Sequence, residues 1–235
     1  MSVTPQRPVA CLFDAYGTLF DVTAAARHLK DEIGPSWEDL AETWRVRQVE
    51  YTWLRSLMDR YTDFRAITAE ALDYALDATG QAPSTTLRDR LMGLYMTLDA
   101  YPEVPAVLAA LRDRGIGTAI LSNGSPDMLK AACDSAGLTD LLDAVLSVDA
   151  VGIFKPAAAA YDLGRAHFGT DPERVMFVSS NGWDVAGAAS FGYRTVWVNR
   201  RGAPAERLPG CPVAELDSLD RLPDLLRDLT WRGSA

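Results

Sequence analysis

Five short apolar runs constrain this chain more than any other feature: residues 9–13, 118–121, 144–148, 175–178 and 195–198, none longer than five residues. Runs of that length suit strands buried on both faces of a sheet, because a half-exposed strand would alternate apolar with polar residues. From Pro102 onward they alternate with stretches of helical spacing: residues 104–114 stop at Gly115, residues 128–136 stop at Gly137, and further helices fall at 158–167 and after Asp184. Strands alternating with helices of this length predict an α/β fold with a doubly wound parallel sheet and a Rossmann-like core. Residues 219–229 read as a closing helix, and 200–212, rich in Pro and Gly, as a loop.

Between the first and second runs the periodicity is helical from Asp21 to about Leu98. Ser36 followed by Asp39 is a capping signal, and Leu40, Trp44, Tyr51, Leu54, Leu57, Met58 and Tyr61 recur at helical spacing, which predicts one long helix. Ile67, Leu72 and Leu76 predict a second helix ending near Gly80. Leu87, Leu91, Leu94, Tyr95 and Leu98 predict a third. The expected division is therefore an α/β core domain of residues 1–20 and 99–235, with residues 21–98 inserted after the first strand as a helical cap domain. Trp53 beside Leu54 widens the apolar surface of the long helix beyond one stripe. That fits a helix buried in the insertion or, as the favoured reading, a second face used in a homodimer.

With 23 Lys+Arg against 32 Asp+Glu the formal charge is -9. Nucleic acid is not expected as a partner, since phosphate neutralisation needs a basic face and no Lys/Arg cluster supplies one. A small anionic substrate would meet an opposing global field, so its pocket must bring its own cations. Cys11, Cys133 and Cys211 form no CxxC pair, and His28 and His167 are too far apart for a zinc site. Gln6, Arg7 and Pro8 precede an apolar run of only five residues, and no run approaches membrane-spanning length. A soluble cytoplasmic protein with no membrane partner is expected.

In a doubly wound sheet, ligands bind outside the carboxyl ends of the strands. Asp14 ends the first run, Ser122-Asn123-Gly124 follows the second, Lys155-Pro156 the third, and Ser179-Ser180-Asn181-Gly182-Trp183-Asp184 the fourth. Four separate loops thus converge on one rim with a carboxylate, hydroxyls, amides and an ammonium. Asp14 is the candidate nucleophile: Gly17 lets the chain leave the strand with unusual dihedrals, and the Thr18 hydroxyl can hold one carboxylate oxygen. Lys155 near Asp14 would keep that acid ionised.

The order Asp, Ser-Asn, Lys-Pro, Asp resembles the haloacid dehalogenase superfamily of hydrolases, from residue 9 to about 229. Most members are phosphatases with a second Asp two residues after the nucleophile and an acidic pair that helps bind magnesium. Here Tyr16 and Ser180 stand in two of those positions. Two carboxylates that phosphoryl transfer needs are missing, which disfavours a metal-assisted phosphatase and implies no metal and no cofactor. The same departures resemble the L-2-haloacid dehalogenase branch. Its motifs are matched by residues 13–21 (FDAYGTLFD), by Leu121-Ser122-Asn123-Gly124, by Lys155-Pro156, by residues 179–184 (SSNGWD) and by Trp44-Arg45 in the cap helix. Residues 50–58 also resemble that helix. The chain departs at Val46, where the family often has Gln, and at Ala157, where Asp is common.

The resemblance implies hydrolysis of a short L-2-haloalkanoic acid to a D-2-hydroxy acid and halide through an ester on Asp14. It implies a catalytic set of Asp14, Thr18, Arg45, Ser122, Asn123, Lys155, Ser179, Asn181 and Asp184. Arg45, Asn123 and the edge of Trp183 would cradle the halide, and Ser122 with the backbone amides from Ala15 would hold the substrate carboxylate. Tyr16, Phe64 and Trp183 would wall the alkyl group, with Tyr161 also on the substrate side. Asp184, held by Lys155 and flanked by Asn181, is the candidate base for opening the ester, with anchoring of Lys155 as its alternative role. Halide leaves without a proton, so a general acid at Tyr16 would be superfluous. Phosphate-monoester hydrolysis and a scaffold without catalysis are the competing readings.

Overall fold

The computed structural model describes residues 8–22, 27–81 and 85–229, so both outer limits of the expected core domain lie outside the described residues. Six parallel strands form one sheet: β1 (Ala10–Phe13), β2 (Gly117–Ser122), β3 (Ala144–Ser147), β4 (Val175–Ser179), β5 (Arg194–Val198) and β6 (Ala214–Leu216), in the order β3-β2-β1-β4-β5-β6. The central strand is wholly buried. Its alternate side chains enter two different cores: Cys11 and Phe13 pack with Ile120, Met176 and Val178, and Leu12 with Ala119, Leu121 and Phe177. Both faces are covered by helices, which is why the strand reads as continuous apolar sequence.

Register fixes where the polar loops begin. Phe13 is opposite both Ile120 and Val178, so β1, β2 and β4 end at nearly the same height. The chain runs outward from β1 to β3, then crosses back to β4 and runs outward to β6. Strand order therefore reverses at β1, and the crevice of such a sheet opens at its carboxyl end, where Asp14 sits.

Between β1 and β2 come α1 (Lys30–Ile33), α2 (Trp37–Leu57), α3 (Phe64–Ala78), α4 (Thr85–Leu94) and α5 (Val104–Asp113). The remaining helices, α6 (Pro126–Ser135), α7 (Ala158–Phe168), α8 (Gly182–Phe191) and α9 (Leu222–Asp228), flank the sheet. Helix α2 buries a stripe at fourfold spacing, Leu40, Trp44, Gln48 and Thr52, beside Phe64, Ile67, Thr68, Ala71, Leu72 and Ala75 of α3. Its far end is different. Leu54, Leu57 and Met58 are exposed, Leu57 to 84%.

One local expectation is corrected. Ser36 precedes α2 but makes no side-chain cap; its hydroxyl accepts instead from Gln81 Nε2 at 2.8 Å. The clear cap is Asp63, whose Oδ1 accepts from the backbone N–H of Ala66 at 2.8 Å and starts α3. The segments flanking the insertion pair with each other: Asp21 N donates to Asp99 O at 3.0 Å and Tyr101 N to Leu19 O at 2.9 Å.

Candidate active site

Asp14 is held at the end of β1 by its own backbone N–H, which donates to Val178 O at 2.9 Å. The chain then turns back through Gly17, whose φ is +89° and whose missing Cβ would stand 3.1 Å from Ser180 Oγ. Both the dihedral and the close approach require glycine. The turn brings Thr18 Oγ1 to 3.0 Å from Asp14 Oδ2, and the same oxygen accepts from Ser180 N at 2.8 Å.

The two carboxylate oxygens of Asp14 have different surroundings. Oδ2 accepts from Thr18 Oγ1 at 3.0 Å, Asn181 Nδ2 at 2.8 Å and Ser179 Oγ at 3.4 Å. Oδ1 faces Lys155 Nζ at 3.2 Å. That ammonium also donates to Asp184 Oδ2 at 3.0 Å, so one cation bridges two carboxylates in a cluster where Lys155 is 1% and Asp184 0% exposed. Burial opposes the charge on Lys155, but Asp184 and Asp14 outweigh it and hold the ammonium above the usual lysine value. Burial pushes Asp184 up to about 6, against the pull of Lys155 and with the charge of Asp14 adding to it.

Tyr161, expected on the substrate side, lies against Asp184. It is wholly buried, its hydroxyl donates to Asp184 Oδ1 at 2.8 Å, and its ring packs edge-on to Phe177 beneath the sheet. Helix α7 turns this face inward, and Gly187 of α8 leaves room for it: a Cβ there would meet the Tyr161 hydroxyl at 2.5 Å. Tyr161 therefore fixes Asp184 from behind.

Ser122 and Asn123 lie at the same rim with local partners. Ser122 Oγ accepts from Gly124 N at 3.0 Å, and Asn123 Oδ1 accepts from Lys155 N at 3.0 Å, which seats the lysine loop. Ala15 is buried, and its carbonyl accepts from Leu19 N at 2.9 Å within the turn. The insertion brings Arg45 from α2: Nη2 donates to Asn181 Oδ1 at 3.2 Å, and Nη1 to Gln48 Oε1 at 2.8 Å. Gln48 is wholly buried and donates onward to Thr68 Oγ1 at 2.8 Å. The sequence reasoning missed Gln48; its one signal was a polar residue on a buried helical stripe, three positions after Arg45. Tyr16 and Phe64 stack at 5.5 Å, Tyr95 lies beside Tyr16, and Trp183 meets Trp53 edge-on at 5.3 Å. Val46, one departure from the family pattern, is 42% exposed.

Among the described residues, no group of three or more His, Cys, Asp or Glu could hold a metal ion. No helix among them is long and apolar enough to cross a membrane.

The sequence matches the haloacid dehalogenase-like hydrolase family over residues 9–192. It is 45% identical over 221 residues to (S)-2-haloacid dehalogenase 1 of Pseudomonas sp. (strain CBS-3), covering 94% of this chain and 97% of that protein. The chain belongs to the haloacid dehalogenase-like hydrolases, in the (S)-2-haloacid dehalogenase branch. Within this branch it is also 46% identical to (S)-2-haloacid dehalogenase 4A of Burkholderia cepacia, over 84% of this chain and 85% of that one. The L-2-haloacid dehalogenase of Xanthobacter autotrophicus with chloropropionic acid covalently bound superposes with a TM-score of 0.87 at 39% identity, covering 94% and 99% of the two chains.

Proposed function

We propose that this hydrolase converts short (S)-2-haloalkanoic acids to 2-hydroxy acids and halide through a covalent ester on Asp14. The observation that carries the reading is the asymmetry of the Asp14 carboxylate: three side-chain donors converge on Oδ2, and Oδ1 faces Lys155. Oδ1 attacks C2 from the side opposite the halogen, the C2–O bond forms, and halide departs with the electron pair, inverting C2. Arg45, Asn123 and the edge of Trp183 cradle the anion, and Ser122 with the amides after Asp14 holds the substrate carboxylate. Tyr16, Phe64 and Trp183 wall the alkyl group.

Water then attacks Cγ of the ester. Its carbonyl oxygen is the former Oδ2, so Thr18, Asn181 and Ser179 already surround the atom on which negative charge develops. Asp184 accepts the proton of the attacking water; a carboxyl raised to about 6 suits that task better than an ordinary aspartate. The Cγ–Oδ1 bond then breaks, the hydroxy acid leaves with Oδ1 and takes the proton back from Asp184, and the restored Asp14 carboxyl gives its own proton to water. Lys155 stands between the two carboxylates as the compensating cation, and halide departure needs no Lewis acid, so the reaction is metal-independent. EDTA should leave halide release unchanged, and a loss restored by magnesium, with phosphate released from a monoester, would favour a phosphatase.

Residues 21–98 act as a cap domain over the core of residues 1–20 and 99–235. The exposed Leu54 and Leu57 of α2, with Met58 just beyond its end, adjoin an apolar groove that includes Trp53, Phe154 and Trp183, which supports a homodimer through this face. Sedimentation of Leu57→Glu should show monomers. The three free cysteines, two of them buried, fit a reduced cytoplasmic setting.

Oxygen-18 water tests the chemistry. With enzyme in excess, a single turnover should put the label into Asp14 and leave the hydroxy acid unlabelled; label wholly in the hydroxy acid would reject the ester. Asp184→Asn should accumulate the acyl adduct on the peptide containing Asp14, whereas an inactive variant without adduct would assign Asp184 to the first step.

A further inference from the structure

Arg200 lies outside every motif so far used, just beyond the carboxyl end of β5. Its base is rigid: Asn199 N donates to Leu216 O at 2.7 Å, and the Asn199 side chain closes the loop by accepting from Ala203 N at 2.8 Å and donating to its carbonyl at 2.9 Å. Its side chain is only 15% exposed and meets both segments through which the chain passes between core and insertion. On the outgoing segment, Arg200 Nη2 donates to Thr18 O at 3.0 Å. On the returning one it pairs with Glu103 Oε1 at 2.7 Å, and its guanidinium carbon stands 3.7 Å from the centroid of the Tyr101 ring.

These segments are where the insertion would pivot. They are tied to each other by Asp21 N to Asp99 O, Tyr101 N to Leu19 O and the antiparallel bridge of Phe20 with Ala100. Thr18 is held from two sides: its carbonyl by Arg200, its hydroxyl against Asp14 Oδ2. Arg200 also lines, with Arg45 and Asn181, a cavity of about 190 Å³ at the seam between insertion and core. Its fork therefore touches the support of the nucleophile and the segment by which the chain returns from the insertion that carries Arg45.

We propose that Arg200 is a positioning residue that pins this pivot, fixing Thr18 against Asp14 and the approach of Arg45 to the core. The proposal rests on the hydrolytic reading, in which Asp14 and Arg45 act on opposite ends of one breaking bond. Lysine cannot substitute. An ammonium reaches Glu103 or the Thr18 carbonyl as a point charge, and it lacks the planar face that lies on Tyr101.

The test compares full-length wild type with Arg200→Lys and Arg200→Met, measuring thermal midpoint, halide release from 2-chloropropionate and hydrogen exchange in peptides covering residues 15–22 and 99–103. Because the substrate carboxylate is held by core groups away from Arg200, KM should stay within about threefold while kcat falls by about 10- to 10²-fold, the scale of a misplaced reacting group. The Arg200→Lys midpoint should stay close to wild type, Arg200→Met should lose stability because Glu103 loses its ion-pair partner, and in Arg200→Lys exchange should quicken in those two segments and not elsewhere. Near wild-type kcat with unchanged exchange in Arg200→Lys would overturn the pin. So would a loss of kcat in that variant that tracks a matching fall in midpoint and faster exchange throughout. If wild type releases no halide from any 2-haloacid, the hydrolytic reading fails, and exchange still decides the pin: local quickening supports it and unchanged protection rejects it.

Discussion

The core side of the site and the insertion side hold their residues in different ways. On the core side Asp14, Thr18, Lys155, Ser179, Asn181 and Asp184 are bonded to one another across up to 167 positions of sequence, and Tyr161 closes the cluster from beneath. On the insertion side Arg45 reaches the core through Asn181 at 3.2 Å and is otherwise oriented from within its own layer by Gln48. The first arrangement is a closed electrostatic network in which each charge depends on its neighbours. The second is a single cation on a helix, beside an aromatic wall, seated by the packing of that helix. In the proposed reaction the core aims the nucleophile, and the insertion adds Arg45 to a cradle that Asn123 and Trp183 of the core complete.

Lys155→Met should have the largest effect because it breaks the closed network. It leaves the carboxylates of Asp14 and Asp184 buried without their shared cation, and removal of one partner from a buried ionic cluster costs roughly 3–5 kcal/mol. Urea unfolding at pH 7.5 should show that loss with an unchanged m-value, and halide release should fall below detection. A variant within about 1 kcal/mol of wild type, a usual range for exposed pairs, would mean that the cluster is far less coupled than its geometry.

Arg45→Lys should strike activity and spare stability. Losing one charge-assisted donor to an anion in such a site lowers kcat by about 10²–10³, while α2 keeps its buried stripe and the core network is untouched. Equal unfolding curves with that loss of kcat would sharpen the contrast between the two sides. Near wild-type turnover would move the halide cradle onto Asn123 and Trp183.

The same contrast governs what could be read before the structure. The core strands and their polar ends were legible because each run announces itself by composition and each loop begins where its run stops. Strand β6 was not: three residues with the charged Glu215 at the centre carry no periodicity of their own and pair only because β5 offers an edge. The Ser36 capping signal fails because Gln81, 45 positions away, claims the serine hydroxyl, a contact that no local pattern contains. The contact of Tyr161 with Asp184 was not legible either, because it depends on the rotation of α7, which decides the face this residue occupies. Ala157 has a physical correlate as well: it is the residue before α7 and makes no side-chain cap, the task an aspartate there would perform.

The smallest effect separates the two sides by pH. Arg45 bonds the neutral amides of Asn181 and Gln48, so variants at that position should shift stability by the same amount at every pH. Asp184 is different, being raised to about 6 in the folded chain, mainly by burial, against about 3.9 for an unfolded aspartate. Between those values the folded state binds more protons at this group than the unfolded state does. Its contribution to stability is therefore fullest below pH 4, declines as pH rises, and is lost above pH 6. Activity should run the other way, since the base must be ionised to accept a proton. Carboxylates outside the Lys155 cluster titrate in the same interval, so the quantity to measure is the difference in unfolding free energy between wild type and Asp184→Asn, in which those cancel. That difference should move against wild type from pH 4 to pH 6 and then level off, while kcat of wild type climbs across the same interval. A difference that is flat between pH 4 and pH 7 would mean that Lys155 holds Asp184 ionised throughout, and that its part in the cluster is to anchor the ammonium.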